Sequence, residues 1–173
     1  MKVFVSYHRA DTSYKEKLLE YLESKDIPYY VVPEDYNFDG LYHEHIAQII
    51  LDEIKWCSVT ICIIGQETYS RPHVDHEIKA TLKGGISIRR GLVGLMLDNR
   101  RDSKNNINYD TFPNRIQDNY TDDIPYVVLG QWASFKNELG SLLNEAYDNR
   151  YENYEVNNSR ELMKLRNGKY YEQ

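Results

Sequence analysis

The segment YSRPHVDHEIKATLKGG, residues 69–85, concentrates groups that can transfer protons or bind metals at the start of one short helix. His73, Asp75, His76 and Glu77 lie within five positions, directly after a proline that suits a first helical turn. The helix dipole favours carboxylates in that turn by about 0.3–1 kcal/mol, so a stabilising surface acid is the simplest explanation of Glu77. The alternatives are a metal site and an acid that acts on a substrate.

A metal site on this helix would need three ligands that converge on one point. His73 and Glu77 share a helix face because they are four positions apart, whereas His76 points about 100° away from Glu77. His43 and His45 are two apart on another predicted helix and therefore diverge. The spacing predicts no metal centre, and it places the histidines on a solvated surface.

Alternating strands and helices are predicted to hold these residues in one α/β domain. Apolar and β-branched runs predict five strands, at residues 2–7, 27–32, 58–65, 91–97 and 124–129. Helical periodicity predicts helices at about 10–24, 41–55 and 133–149, and a third helix in chain order that begins near Pro72 and ends at Gly84-Gly85. This alternation predicts a flavodoxin-like three-layer sandwich with a five-stranded parallel sheet.

Other local features predict caps, loops and a domain boundary. Ser13 with Glu16 fits a capping box, and Ser70 is a candidate cap of the third helix. Residues 98–123 are polar and lack a predicted element, and structureless loops of this length are often functional. Residues 1–150 are predicted to form the domain. Residues 151–173 are predicted to be a polar extension that either forms a short helix around 159–166 or frays.

Composition and missing motifs narrow the function. The net charge of −6 argues against general affinity for nucleic acid or anionic membranes, and no 18-residue apolar run predicts a membrane span. The first residues lack the features of a secretory signal, and two cysteines beside an apolar segment suit a reducing cytoplasm. The P-loop, the glycine-rich dinucleotide fingerprint after strand one and the G-x-S-x-G nucleophile elbow are all missing.

Chain order places the histidine-rich helix where such folds bind ligands. In a flavodoxin-like sheet, ligands lie beyond the carboxyl ends of the strands, at the switch point between strands one and three. Residues 6–11 leave strand one, and residues 65–77 leave strand three. Glu77 is therefore predicted to lie at this edge of the sheet.

Three segments together resemble a TIR-type domain: VFVSYHRAD, PEDYNFDG and SRPHVDHEI. In that family the third helix opens with Ser-x-x-[Trp/Cys]-x-x-x-Glu. The glutamate of this motif maps onto Glu77, and His73 replaces the usual Trp or Cys. The later segments FPNRIQDN and LNEAYDNR are similar to the bacterial TIR-like branch found in Thoeris antiphage systems. The resemblance covers about residues 2–150.

The resemblance implies an NAD-consuming enzyme with Glu77 as its catalytic residue. Many TIR domains cleave NAD at the nicotinamide–ribose bond. One carboxylate is chemically adequate for that cleavage, because nicotinamide leaves as a neutral group and needs no general acid, unlike the leaving oxygen of an O-glycoside. The Thoeris branch is implied to make a cyclic ADP-ribose isomer, which requires that water be kept from the reactive sugar cation.

The residues predicted to bind the substrate are Ser6, Tyr7, Arg9, Tyr36, Phe38, Arg71 and His73. The three aromatic side chains would stack on a flat base, and the two arginines would bind phosphate. Each aromatic residue could instead pack a strand end or a loop. Asp11 matches the opening motif of the family but could equally cap the first helix.

The resemblance also implies partners. NAD would be a substrate and not a bound cofactor, the chain would form a homo-oligomer, and a phage-derived trigger and an NAD-binding effector would act before and after it. Two other functions remain open. One is a non-catalytic TIR-like or receiver-like scaffold, which the substitution at His73 favours. The other is a nucleoside deoxyribosyltransferase-like enzyme, which would form a covalent sugar adduct.

Overall fold

The structure, a computed structural model, describes residues 1–32, 43–86 and 88–163. In these ranges five parallel strands form one sheet in the order β2-β1-β3-β4-β5. The strands are β1 Val3–Ser6, β2 Tyr29–Val31, β3 Val59–Ile64, β4 Gly91–Met96 and β5 Val127–Gln131. The predicted flavodoxin-like parallel sheet is confirmed, and its switch point lies between β1 and β3, as expected.

Helices cover both faces of the sheet. The α-helices of the described residues are α1 Thr12–Ser24, α2 His43–Ile54, α3 Pro72–Thr81, α4 Asn114–Gln117 and α5 Phe135–Asn149. The apolar residues of α1 and α5 pack with one set of strand side chains. Those of α2, α3 and α4 pack with the alternate set. Every residue of β3 and β4 is buried, which explains why these strands are continuous apolar runs.

Strand alternation decides which residues of β1 face α3. Val3 and Val5 enter the core on the α1 and α5 side, whereas Phe4 packs with α2 and the buried Ala80 of α3. Because successive side chains point to opposite faces, Ser6 follows Phe4 toward the α2 and α3 layer. Within the described ranges, every helix is too short or too polar to cross a lipid bilayer.

The predicted edge strands are longer than the observed ones. β5 begins at Val127, three residues later than predicted, and β2 contains only three residues. Pro125 has no N–H to donate to a ladder, and the N–H groups of Tyr126 and Val127 both donate to the carbonyl of Asn119. The segment before β5 therefore bonds back to the preceding loop.

Residues 98–123, for which the sequence predicts no element, contain short elements in the structure. They contain a 3-10 turn at Tyr109–Thr111 and the short helix α4. Phe112 and Ile116 enter the core beside β4, and the guanidinium of Arg100 donates to the carbonyls of Gly65 and Thr111. Two apolar residues and one buried arginine thus fold this polar loop onto the sheet.

Three predicted helix ends are also wrong in detail. The residue before α1 is Asp11, whose side chain makes no capping bond, so the capping box of Ser13 does not form. Ser70 lies in a 3-10 turn at Thr68–Ser70, before α3. Its hydroxyl donates to the carbonyl of Glu67, the residue that precedes this turn. α3 does begin at Pro72, but it ends at Thr81, before Gly84 takes a φ of +105°.

The polar extension after α5 has an ordered course in its described part. Residues 151–163 form no helix and cross the outer side of α3 and α4. The predicted short helix is therefore wrong for residues 159–163, and residues 164–166 lie outside the described ranges.

Candidate active site

Glu77 lies in the second turn of α3 with its carboxyl turned toward the end of β1. Its side chain is buried, and the hydroxyl of Ser6 donates a hydrogen bond of 2.5 Å to its Oε2. Val74 and Ile78 on the same helix pack against β3 and β4, and this packing fixes the rotation of the helix. Glu77 is thus a buried acid at the switch point of the sheet, and the alternative of a solvated surface acid is wrong.

Burial raises the pKa of Glu77 to about 8, although the hydrogen bond from Ser6 opposes the rise. The carboxyl is therefore mostly protonated at neutral pH. Cys62 stands beside Ser6 in the strand register, and burial, with the nearby Glu77 as a smaller cause, raises its pKa. Cys62 is consequently an unreactive buried thiol beside the site.

His73 lies on the same face of α3 as Glu77, and it contacts Tyr7, the residue that follows β1. Its Nε2 lies 3.3 Å from the carbonyl oxygen of Tyr7, and its ring centroid lies 6.2 Å from that of His8. Burial lowers the pKa of His73, so the neutral ring is favoured. His76, by contrast, is only 4% exposed, and the predicted solvated position is wrong for it.

The predicted phosphate ligands differ in their surroundings. Arg71 forms an ion pair with Glu67, which also lies 3.7 Å from the Nε2 of His8. Arg9 is exposed in a 3-10 turn at Arg9–Asp11. An incoming phosphate would therefore compete with a carboxylate at Arg71 and with water at Arg9.

The predicted stacking residues are not gathered around Glu77 in the described ranges. The ring of Tyr7 packs against the core on the α1 side, where the Nζ of Lys15 lies 5.2 Å from its centroid. Tyr7 therefore offers its carbonyl, and not its ring, to the α3 side of the sheet. Tyr36 and Phe38 lie outside the described residues.

Asp11 connects the loops that follow β1, β3 and β4. It is only 3% exposed, and the amide nitrogen of Asn99 donates to its Oδ1 at 3.3 Å. Burial raises the pKa of Asp11, and the bond from Asn99 partly offsets the rise. A Cβ on Gly65 would overlap the Asp11 carboxylate, so any larger residue directly after β3 would have to displace that side chain. The predicted capping role of Asp11 is therefore wrong.

No local sequence pattern indicates the partner of Asp75. Arg115 of α4 donates from Nε and Nη2 to the two carboxylate oxygens of Asp75, at 2.9 and 3.1 Å. Both side chains are buried, and the backbone N–H of Met163 donates to the same carboxylate at 2.8 Å. In the described part of the chain, no group of three or more His, Cys, Asp or Glu side chains could hold a metal ion.

Together these features define a class: a flavodoxin-like parallel α/β domain with a buried acid on its third helix, placed against the end of the first strand. The family model described as Thoeris protein ThsB, TIR-like domain, matches residues 4–102, more than half of the chain. The chain belongs to this family.

Other comparisons add little to this assignment. The TIR domains of the activated Roq1 resistosome directly recognizing the pathogen effector XopQ are 13% identical in sequence, with a TM-score of 0.44. The superposition covers 87% of this chain and 81% of that chain. A search of curated proteins finds no match.

Proposed function

We propose that this chain is an enzyme of antiphage defence that cleaves the nicotinamide–ribose bond of NAD and releases a cyclic ADP-ribose isomer as a second messenger. The observation that carries the proposal is the contact between Ser6 and Glu77, at the switch point where parallel α/β sheets bind ligands. Membership of the Thoeris TIR-like family supports the same chemistry.

The proposed reaction needs one carboxylate and little else from the protein. As the C1′–N bond breaks, its electron pair goes to the pyridinium nitrogen, and nicotinamide departs neutral. The ionised Glu77 stabilises the positive charge that grows on the ribose and accepts hydrogen bonds from ribose hydroxyls. A nucleophile within the ADP-ribose then attacks C1′ and loses its proton, which closes the ring.

The burial of Glu77 suits this chemistry. A dry site strengthens the interaction between a carboxylate and a sugar cation, and it keeps water from trapping the cation. The cationic nicotinamide riboside would itself favour ionisation of Glu77, because an opposite charge nearby lowers the pKa of an acid. Substrate binding would thus prepare the carboxylate that acts on it.

The proposal places Ser6 and His73 at the substrate because they share the edge of the sheet with Glu77. Arg9 and Arg71 remain proposed phosphate ligands, with Arg71 releasing Glu67 when substrate binds. Tyr7, Tyr36 and Phe38 remain proposed base contacts. A homo-oligomer, a phage-derived trigger and a downstream NAD-binding effector complete the proposed pathway, in the cytoplasm.

A second candidate function is a non-catalytic scaffold. The observation that favours it is the enclosure of Glu77, which is only 5% exposed and already hydrogen-bonded to Ser6. A scaffold of this kind would not bind NAD. Thermal unfolding with millimolar NAD separates the two functions, since a ligand at 100 times its dissociation constant stabilises the fold by about 2.7 kcal/mol.

The direct experiment is incubation of the purified chain with NAD, with nicotinamide quantified by chromatography and the sugar product by mass. We expect nicotinamide release from the wild type and from Glu145→Gln, a matched change at an exposed position of α5, but not from Glu77→Gln. Equal release from Glu77→Gln would contradict the proposed role. A covalent sugar adduct in the intact mass would indicate the deoxyribosyltransferase-like reaction instead.

A further inference from the structure

Helix α3 is more enclosed than a surface helix of a three-layer domain needs to be. Seven of its ten residues are buried, including Asp75, His76 and Glu77. The sheet covers one side of the helix. The other side is covered by residues 151–163, which we call the C-terminal strap.

The first half of the strap is fixed to elements around α3. Both terminal nitrogens of Arg89 donate to strap carbonyls, at 2.7 and 3.1 Å. The side-chain amide of Asn119 donates to the carbonyl of Asn157 and accepts from the N–H of Asn157, both at 2.8 Å. Tyr154 and Val156 pack against the core that contains the apolar residues of α3.

The second half of the strap bonds to α3 itself. The amide of Asn158 donates to the carbonyl of Lys79 at 3.1 Å, and the N–H of Met163 donates to Asp75. Leu162 lines a cavity of about 360 Å³ with His76 and Ala80. The strap therefore spans α3 from its α4 side to its α2 side.

Arg115 joins α3, α4 and the strap through one guanidinium. Besides its two bonds to Asp75, it donates to the Oδ1 of Asn158 at 3.1 Å and to the strap carbonyls of Arg160 and Glu161 at 3.1 and 3.2 Å. The residue is 1% exposed. Lysine could not replace it, because only the planar fork of arginine reaches acceptors in several directions at once.

We propose that Arg115 and the C-terminal strap are positioning elements for Glu77: by holding the outer face of α3, they keep the carboxyl on its inner face dry and bonded to Ser6. Asp75 and Glu77 are two positions apart and point to different sides of one short helix. A hydrogen-bonded helix is stiff over this distance, so a shift at Asp75 is transmitted to Glu77.

Few other groups can set the ionisation of Glu77. Among the described residues, its pKa responds to burial and to the hydroxyl of Ser6. Cys62 of β3 is close to it, with Asp11 beyond Cys62, and His73 lies one turn earlier on α3. The pair of Asp75 and Arg115 faces away toward the strap, and the ammonium of Lys79 donates to the strap carbonyl of Arg160. The strap therefore acts on Glu77 through the position of α3 and not through its own charges.

The test follows the carboxyl of Glu77 by infrared titration, with the protonated C=O band identified by its loss in Glu77→Gln. Two altered proteins loosen the strap: Asn158→Ala, and Arg115→Met combined with Asp75→Leu, which leaves no buried charge unpaired. Ser159→Ala is the matched control, because the Ser159 side chain bonds only to Asn157 within the strap. We expect the midpoint near pH 8 in the wild type to fall by at least about one pH unit in both altered proteins, as water reaches the carboxyl. The control should titrate like the wild type.

Nicotinamide release gives a second readout, which rests on the proposed function. In both altered proteins we expect kcat to fall about tenfold, while KM stays within about twofold of the wild-type value. The reason is that a shifted α3 misplaces the carboxyl of Glu77 without removing substrate contacts. The acid limb of the pH profile should move with the infrared midpoint. Asn158→Ala retains every core residue, so it remains informative if the double variant does not fold.

Two results would overturn the inference. In the first, both altered proteins lose stability but Glu77 titrates as in the wild type, which would make the strap a purely structural element. In the second, Glu77 of the wild type already titrates near its ordinary value of 4.5. The infrared midpoint could move as expected while neither the wild type nor the altered proteins release nicotinamide. In that case the positioning role is supported and the proposed function fails.

Discussion

Asp75 and Glu77 stand two positions apart on α3, and both are almost completely buried. Asp75 meets a guanidinium, which gives it two charge-assisted bonds, and a backbone N–H. Within the described residues, the carboxyl of Glu77 accepts one hydrogen bond, from the hydroxyl of Ser6, and is otherwise enclosed by burial. One helix thus carries Asp75, which is paired with a buried cation, and Glu77, whose burial favours the neutral acid.

The difference separates a structural acid from an acid suited to chemistry. A buried carboxylate paired with arginine is held in one state, and breaking the pair is strongly destabilising. A buried acid without a cationic partner costs stability when it ionises, and its pKa rises toward the working pH. No ion pair of Glu77 occurs among the residues that the structure describes, and a cationic substrate would supply one. Glu77, and not Asp75, is therefore assigned the proposed reaction.

The largest effects are expected from two single substitutions, one of which lowers stability while the other lowers activity. Asp75→Asn leaves Arg115 buried without a counter-charge and should lower the free energy of unfolding by about 3–5 kcal/mol. Glu77→Gln should retain the fold and lower nicotinamide release by at least about 100-fold. Urea unfolding and a nicotinamide assay on both variants measure the two effects. Equal destabilisation of the two proteins would remove the distinction between the two acids.

A more gradual effect, spread over several pH units, is expected in the pH dependence of stability. The pKa of Glu77 in the fold, about 8, exceeds its ordinary value of 4.5, so the folded protein keeps a proton that the unfolded chain releases between these values. The contribution of Glu77 is therefore fully favourable below pH 4.5 and is lost as pH rises through 8, at roughly 1.4 kcal/mol per pH unit. Unfolding of the wild type and of Glu77→Gln at pH 5, 6.5, 8 and 9 isolates this contribution, because other titrations cancel in the difference. Parallel stability curves for the two proteins would show that Glu77 ionises freely.

The smallest effect is expected from the hydroxyl of Ser6. Ser6→Ala removes the hydrogen bond that, within the described part of the chain, favours the ionised form of Glu77, so the pKa of Glu77 should rise further. Stability at pH 9 should fall by about 1–3 kcal/mol, because the ionised carboxylate loses its donor. Thr60→Val is the matched control: it removes a buried hydroxyl on the same face of the sheet, one that bonds to Thr81 instead. An identical Glu77 titration in the Ser6 variant and the control would show that the 2.5 Å contact does not set the ionisation of the acid.

Chain order was enough to predict that the end of β1 and Glu77 lie at the same edge of the sheet. The apolar runs of β1 and β3 are unambiguous, the parallel sheet follows from the alternation of elements, and the switch-point rule then brings residues 6 and 77 to one edge. The same reasoning predicted that His73 and Glu77 share a face, and both contact residues at the end of β1.

The outer face of α3 could not be predicted in the same way. The partner of Asp75 lies 40 positions later, in a loop whose polar composition indicates no element, and a first-turn acid has a sufficient local explanation in the helix dipole. The strap is equally long-range: its bonds to α3 span about 80 positions and use side-chain amides and backbone groups that carry no periodicity. Asp11 directly precedes α1 but does not cap it through its side chain, which instead accepts a long-range bond from Asn99.

The pH profile of nicotinamide release by the wild type and by Glu77→Gln tests the central claim most directly. If the buried carboxyl must ionise to act, kcat/KM of the wild type will rise with pH and level off above the pKa of Glu77, about 8, while the variant stays inactive from pH 6 to pH 9. Release that is independent of pH in this range, or that persists in the variant, would contradict it.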